Sequence, residues 1–223
     1  MTPAERRASA ADRSRMGTPK QDGVRRVAAR VGRRRTMDSK QAVYCEALVA
    51  HYSTSWGARR ESHRWSNGPV SDLGSHFAIA QYDAANDAFA FATVGMSLVA
   101  EPNPIELHVF VQRDPLLFRS LVELLTIVSH FHRTGARLGL HDTVNFGRPW
   151  PPASSCTYGF ISLPYLDGQK LERSSAVRAR CLWLIPITEA EVALKRAHGV
   201  EALEGAFERT EFNYLDPNRE SVV

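Results

Sequence analysis

IELHVFVQRDPLLFRSLVELLTIVSHFHRTG, residues 105–135, is the stretch that decides the fold. Its first eight residues alternate. Ile105, Leu107, Val109 and Val111 face one way, and Glu106, His108, Phe110 and Gln112 the other, which is the period-two pattern of a strand. Asp114-Pro115 follows, a capping carboxylate and then a proline at a position where a missing N–H is harmless. Leu117, Leu121, Leu124, Leu125, Val128 and Phe131 recur at helical spacing, and Gly135 supplies the stop. The stretch predicts a strand over Ile105–Gln112 and a helix over about residues 115–134, whose apolar face lies on a sheet.

Upstream, His76–Tyr82 is short and apolar, and Ala88–Ser97 alternates. Asp83–Asp87 and Pro102–Pro104 read as the turns between strands. Three sequential strands with short links favour an antiparallel meander. Before them, Asp38 or Ser39 can cap a helix that runs to about Ser53 and stops before Gly57, with Tyr44, Leu48 and Tyr52 on one face. Residues 54–75 read as a long irregular connection carrying Trp56 and Trp65.

Downstream, strands are expected at Thr143–Phe146, Thr157–Leu163 and Arg180–Ile187, with Pro149-Trp150-Pro151-Pro152 held extended between the first two. Thr188 and Glu191 form a capping box that opens a helix to about His198, Gly199 ends it, and a short helical pattern covers about 200–208. The last dozen residues read as a loop. The order αβββαβββαα lacks the strict alternation of a doubly wound sheet. It favours the α+β class, a mostly antiparallel mixed sheet packed against a long central helix.

Composition narrows the classes. The 223 residues are 43% apolar and 23% charged, as in ordinary globular domains. No apolar run is long enough to span a membrane. The three cysteines, Cys45, Cys156 and Cys181, are too scattered for a disulfide framework or a zinc knuckle and read as inert buried thiols. The charge is split. Residues 1–36 carry eleven Lys or Arg against three acids, and residues 37–223 seventeen against twenty-one, so the tail is basic and the body mildly acidic. The tail, residues 1–37, has no aromatic residue and reads as a disordered, Arg-rich segment ahead of a domain over 38–220. A nucleic-acid arm at Arg33, Arg34 and Arg35 and an organelle transit peptide are its lesser readings. Met1, Met16 and Met37 are all candidate starts.

Phosphate-loop, nucleophile-elbow and zinc-protease signatures are all missing from the sequence. His130 and His132 point to opposite sides of their helix and read as exposed helix-end histidines. Glu106 and His108 are the best polar pair, on one strand face, where a carboxylate and an imidazole can exchange protons or form a buried polar pair. His141-Asp142 reads as a turn cap at a strand entrance. A small enzyme using Glu106 and His108, with His141 or Asp142 beside them, therefore stays open as an alternative.

Several pieces recur in one order. They are Thr93-Val94-Gly95-Met96-Ser97, Glu106-Leu107-His108, the Leu-rich helix, His141-Asp142-Thr143-Val144, Leu184-Ile185-Pro186-Ile187 with Glu189 and Glu191, and Asp216-Pro217-Asn218-Arg219. Over roughly residues 38–220 the series resembles the Suppressor-of-fused-like domain in its compact bacterial single-lobe form. The resemblance implies a binding domain without catalytic residues or cofactor. Animal relatives hold a transcription factor through an added strand, and bacterial single-lobe relatives act as immunity proteins against a toxin encoded beside them. On that reading the protein is cytoplasmic and its partner is a cognate toxin, a nuclease being one fit to an acidic body. A regulatory peptide-binding module is the runner-up. Trp65, Glu106, His108, Asp142, Trp150 and Arg219 are the candidate partner-binding residues. Gly95 is expected to serve a bend, and the Asp216–Arg219 segment to close over the sheet through an ion pair.

Overall fold

The computed structural model describes residues 19–68, 70–174, 176–216 and 218–223. The chain divides into two compact units, Met1–Ser39 and Lys40–Val223, and the sheet with its two hydrophobic cores belongs to the second. In chain order the elements are α1 (Pro19–Trp56), β1 (Glu61–His63), a 3-10 turn (Val70–Leu73), β2 (Ala78–Ala84), β3 (Ala88–Val94), β4 (Ile105–Gln112) and α2 (Pro115–Thr134). They continue with β5 (Thr143–Asn145), β6 (Cys156–Ser162), α3 (Gln169–Glu172), β7 (Arg180–Thr188), α4 (Glu189–His198) and α5 (Val200–Thr210).

One seven-stranded sheet runs in the order β1-β2-β3-β4-β7-β6-β5. The expected meander is present: β2, β3 and β4 pair antiparallel, with Gln81 opposite Phe91 and Phe91 opposite Val109. One parallel pair, β4 with β7, sets Glu106 opposite Cys181 and His108 opposite Trp183. The sheet is therefore mixed, and the α+β expectation holds.

Both faces of the sheet are covered, and the alternation of β4 sorts its side chains between them. Ile105, Leu107, Val109 and Val111 join Leu121, Leu124, Leu125 and Val128 of α2 in one core. Phe110 joins Tyr44, Leu48 and Tyr52 of α1, with Val192 of α4 and Leu203 and Phe207 of α5, in the other. Ala80, Ala90 and Ala92 line this second face, and their small side chains leave room for the α1 tyrosines. The Tyr52 hydroxyl donates to the Thr93 carbonyl at 3.1 Å, so a buried phenol is satisfied as well as packed.

Helix α2 begins as its sequence demands, with the Asp114 side chain accepting from the Leu116 N–H and proline in the first turn. The capping box is complete at α4, where Thr188 and Glu191 exchange both bonds. Helix α1 starts at Pro19, so Asp38 and Ser39 lie inside it rather than capping it. Residues 20–37 contain only two glycines and no proline, and good helix formers propagate an existing helix readily. Residues 1–18 of the expected tail lie outside the described residues. The 54–75 connection holds β1 and the 3-10 turn, both too short for any periodicity to reveal.

Candidate functional site

Glu106 is the polar centre of the second core. Its side chain has no solvent exposure. Oε1 accepts from the Tyr44 hydroxyl at 3.0 Å and from the Ser97 N–H at 3.3 Å. Oε2 accepts from the Thr93 hydroxyl at 2.6 Å and the Met96 N–H at 3.0 Å. Burial pushes the carboxyl up to about 7, while these donors pull it down. The site ties α1, the end of β3 and the start of β4 to one carboxylate.

Gly95 makes that geometry available. Its φ is +80°, which turns the chain directly after β3 and aims the next two N–H groups at Glu106. On the other side of the turn, Arg133 of α2 donates to the carbonyls of Gly95 at 2.7 Å and Met96 at 2.6 Å. A Cβ at residue 95 would lie 2.9 Å from Cys45 Sγ. Gly95→Ala combines a left-handed backbone with a clash and is expected to lower stability by about 2–3 kcal/mol in urea denaturation. A loss below about 0.5 kcal/mol would contradict this account of the turn.

His132 is not the exposed helix-end residue the sequence suggested; it is 1% exposed. Its Nδ1 accepts from the Leu138 N–H at 3.0 Å, so the neutral ring carries its proton on Nε2. Nε2 lies 3.1 Å from both Glu101 Oε2 and Ser97 Oγ. Burial holds the imidazole below its ordinary range, against the pull of Glu101. The segment after Gly135 folds back across the helix end, and nothing in the spacing of two histidines announces that.

His108 sits beside Glu106 on the same strand face, as alternation requires, and is fully buried. Neither ring nitrogen has a hydrogen-bond partner among the described residues. Burial drives its pKa down to about 3, and the Leu182 backbone opposes this weakly without meeting hydrogen-bond geometry. Its surroundings are aromatic: Phe110 at 5.2 Å and Trp56 at 5.3 Å meet it edge to face, and Trp183 stacks at 6.4 Å between ring centroids.

Arg219 closes the C-terminal segment through an ion pair, and its partner is the capping-box residue. Nη1 and Nη2 lie 2.6 and 2.9 Å from the two oxygens of Glu191, a bidentate pair buried on both sides. Glu191 also accepts from the N–H groups of Thr188 and Val222. Arg219 donates further to the Pro186 and Glu220 carbonyls and lies over the Phe207 and Phe212 rings.

The remaining sequence-predicted residues are dispersed. Trp150 is buried, and its indole N–H lacks a partner among the described residues. Asp142 is exposed and, as expected of a turn cap, accepts from the Gly139 N–H at 2.7 Å. Trp65 is half-buried and lines a groove of about 390 Å³ with Asn67, Thr126, Ile127 and His130. Glu106 and His108 are thus brought together, but Trp65, Asp142, Trp150 and Arg219 do not join them in one cleft. All three cysteines are buried and free, and burial raises the Cys45 and Cys181 thiols to about 12. Among the described residues, no three His, Cys, Asp or Glu side chains converge as a metal site would require, and no helix is long and apolar enough to cross a membrane. The sequence placed Tyr44 on a helix face and Thr93 and Ser97 in a family motif, but it revealed neither their bonds to Glu106 nor the Arg133 contacts behind the turn, because a group that serves a distant partner has no local pattern.

The family model for Suppressor of fused protein (SUFU) matches residues 74–220, which hold both Glu106 and the Glu191–Arg219 pair. The chain belongs to the SUFU family. No curated protein sequence matches this SUFU chain. Among solved structures it is similar to a SUFU homolog from Neisseria gonorrhoeae FA 1090, at 28% identity and a TM-score of 0.67, covering 81% of this chain and 97% of that one. Drosophila Suppressor of Fused shares the fold at 12% identity and a TM-score of 0.58; the match covers 81% of this chain and 51% of the longer fly protein. The Sufu-Fu complex shares it at 13% identity and a TM-score of 0.54, with 81% and 93% covered. The SUFU domain here thus corresponds to nearly the whole of its bacterial relative and to about half of the fly protein.

Proposed function

We propose that this SUFU domain, residues 38–220, is a non-catalytic protein-binding module acting in the cytoplasm as an immunity protein. It would bind and neutralise a toxin encoded beside it. The observation that carries this reading is the interior placement of the polar groups. Glu106 has no exposure and spends both oxygens on the fold, and His108 has no exposure either, so neither faces a cleft where substrate could sit. General acid–base work requires hydrogen-bond reach to a substrate. An enzyme built on that pair therefore has no support in the geometry.

The surface supports binding. Leu116, Ile127 and Phe131 of α2 are exposed, and Trp65 beside Ile127 offers an aromatic anchor of the kind that dominates interfaces. Asp142 is the remaining candidate contact on the surface. The acidic body suits a basic partner such as a nuclease, through faster encounter and charge complementarity. The protein partnership named for the Sufu-Fu complex is consistent with this use of the fold.

The test is co-expression of the full chain with the product of the adjacent reading frame. A one-to-one complex on gel filtration, together with relief of the growth arrest that product causes, is the expected result. Trp65→Ala is expected to weaken that complex by about 2 kcal/mol, or roughly thirtyfold. Unrelieved growth arrest and no complex would overturn the proposal.

A further inference from the structure

We infer that Trp56 is a removable plug over a concealed site for a cationic side chain of a protein partner, formed by Asp167, His108 and the aromatic faces beneath them. This rests on the protein-binding reading above and adds the chemistry of one contact. Two buried polar groups here lack partners among the described residues. One is the imidazole of His108; the other is Asp167 Oδ2. Each such group costs about 1–3 kcal/mol of unrecovered desolvation, so one in the core and one in the half-buried turn beside Trp56 call for a reason.

Trp56 joins the two. Its indole N–H donates to Asp167 Oδ1 at 2.9 Å, and its ring meets the His108 ring edge to face at 5.3 Å. It is half-buried and is the last residue of α1. The next residue, Gly57, has a φ of +77° and open space where a side chain would lie. Rotation about the side-chain torsions of Trp56 itself swings the indole outward at the end of α1 without disturbing the packed part of the helix. The motion gives up one hydrogen bond and ring contacts. It uncovers Asp167, His108, Phe110 and the face of Tyr52 together.

The exposed groups agree on charge. A carboxylate oxygen without a donor attracts a cation carrying N–H groups. A neutral imidazole offers one acceptor nitrogen, while its own N–H can rest against an aromatic face. Tyr52, on which Trp56 stacks, presents a π face that attracts positive charge. An anion would be repelled by Asp167, and an apolar group would leave Asp167 Oδ2 and the His108 ring nitrogens unsatisfied. A lysine or arginine side chain satisfies all three.

The experiment titrates the full chain at neutral pH with n-butylammonium and N-methylguanidinium, following the His108 ring nitrogens by long-range proton–nitrogen NMR. Both probes are expected to move the His108 signals saturably, and n-butanol is expected to leave them in place. Trp56→Phe keeps a ring but loses the bond to Asp167, and should bind the probes about fivefold tighter because the open form is already populated. Asp167→Asn should bind about tenfold more weakly, the usual worth of a charge-assisted hydrogen bond. His108 signals unmoved in both wild type and Trp56→Phe, an equal response to n-butanol, or unchanged binding in Asp167→Asn would each overturn the inference. No partner protein is present in this assay. Its failure therefore leaves partner capture standing, and a failure of partner capture with probe binding intact counts against the protein-binding reading alone.

Discussion

Arg219→Ala is expected to destabilise the domain by about 3–5 kcal/mol, the ordinary consequence of removing one partner from a buried ion pair. The cost comes from the group left behind. Glu191 has no exposure and keeps its charge in a place where Arg219 supplies two of its hydrogen bonds. Burial alone would raise the Glu191 carboxyl, but the Arg219 guanidinium beside it holds it below its ordinary value of 4.5. Without that guanidinium the carboxylate must protonate or draw in water, and it then grips the Thr188 and Val222 N–H groups less well. The tail that Arg219 ties to Pro186 should loosen at the same time, so amide exchange at Val222 should quicken in the variant. Glu191→Gln with Arg219→Met removes both charges and should recover most of the loss. Urea denaturation checks all three chains. A loss below about 1 kcal/mol in Arg219→Ala would mean that the pair only rests on a fold held elsewhere.

The Glu191 effect also has a direction in pH. A carboxyl held below its unfolded value contributes stability that is complete above about 4.5 and is lost as pH falls through the folded value. Acid should therefore weaken the C-terminal clasp.

The sequence carried the periodic elements and little of the polar interior. Strand β4 and helix α2 were legible to the residue, because alternation, a capping aspartate followed by proline, and a leucine stripe all agree over residues 105–135. The α4 capping box was legible for the same reason, since both partners lie within four residues. What failed was non-local. His132 reads as exposed until Leu138 and Glu101 are known to close over it. Tyr44 lies 62 residues from the Glu106 it serves, and Arg219 lies 28 from Glu191. No window of sequence contains those pairs. Glu106 and His108 could be assigned to one face by alternation, but whether that face was solvated or buried depended on α1, α4 and α5 covering it. The resemblance supplied the family and the ordering of motifs, and several of those motifs, Glu106 and the Glu191–Arg219 pair among them, serve the fold itself.

Glu106→Ala is expected to cost about 3–5 kcal/mol at pH 5, and less above pH 7. Four donors converge on this carboxylate, and two of them, the Met96 and Ser97 N–H groups, are backbone and cannot turn away. Alanine leaves those two unpaired at about 1–3 kcal/mol each, beside a cavity next to Cys45 and Gly95. The pH dependence runs opposite to that of Glu191. Burial raises the folded value from 4.5 to about 7, so the folded chain holds a proton that the unfolded chain releases between those values. The stability this group contributes is complete below about 4.5 and is lost as pH rises through about 7, a change of roughly 3 kcal/mol. The gap between wild type and Glu106→Ala should therefore narrow across that window, on top of an opposite slope that both chains share because burial holds His108 down at about 3. Glu106→Gln should lose the Glu106 share of the pH dependence as well. It should remain weaker than wild type at pH 5, because each oxygen of Glu106 faces one fixed backbone donor and an amide NH₂ must oppose one of them. Denaturation midpoints from pH 4.5 to 8 measure all of this. Parallel profiles for the three chains would mean that Glu106 does not titrate in the core and that its four donors hold it ionised throughout.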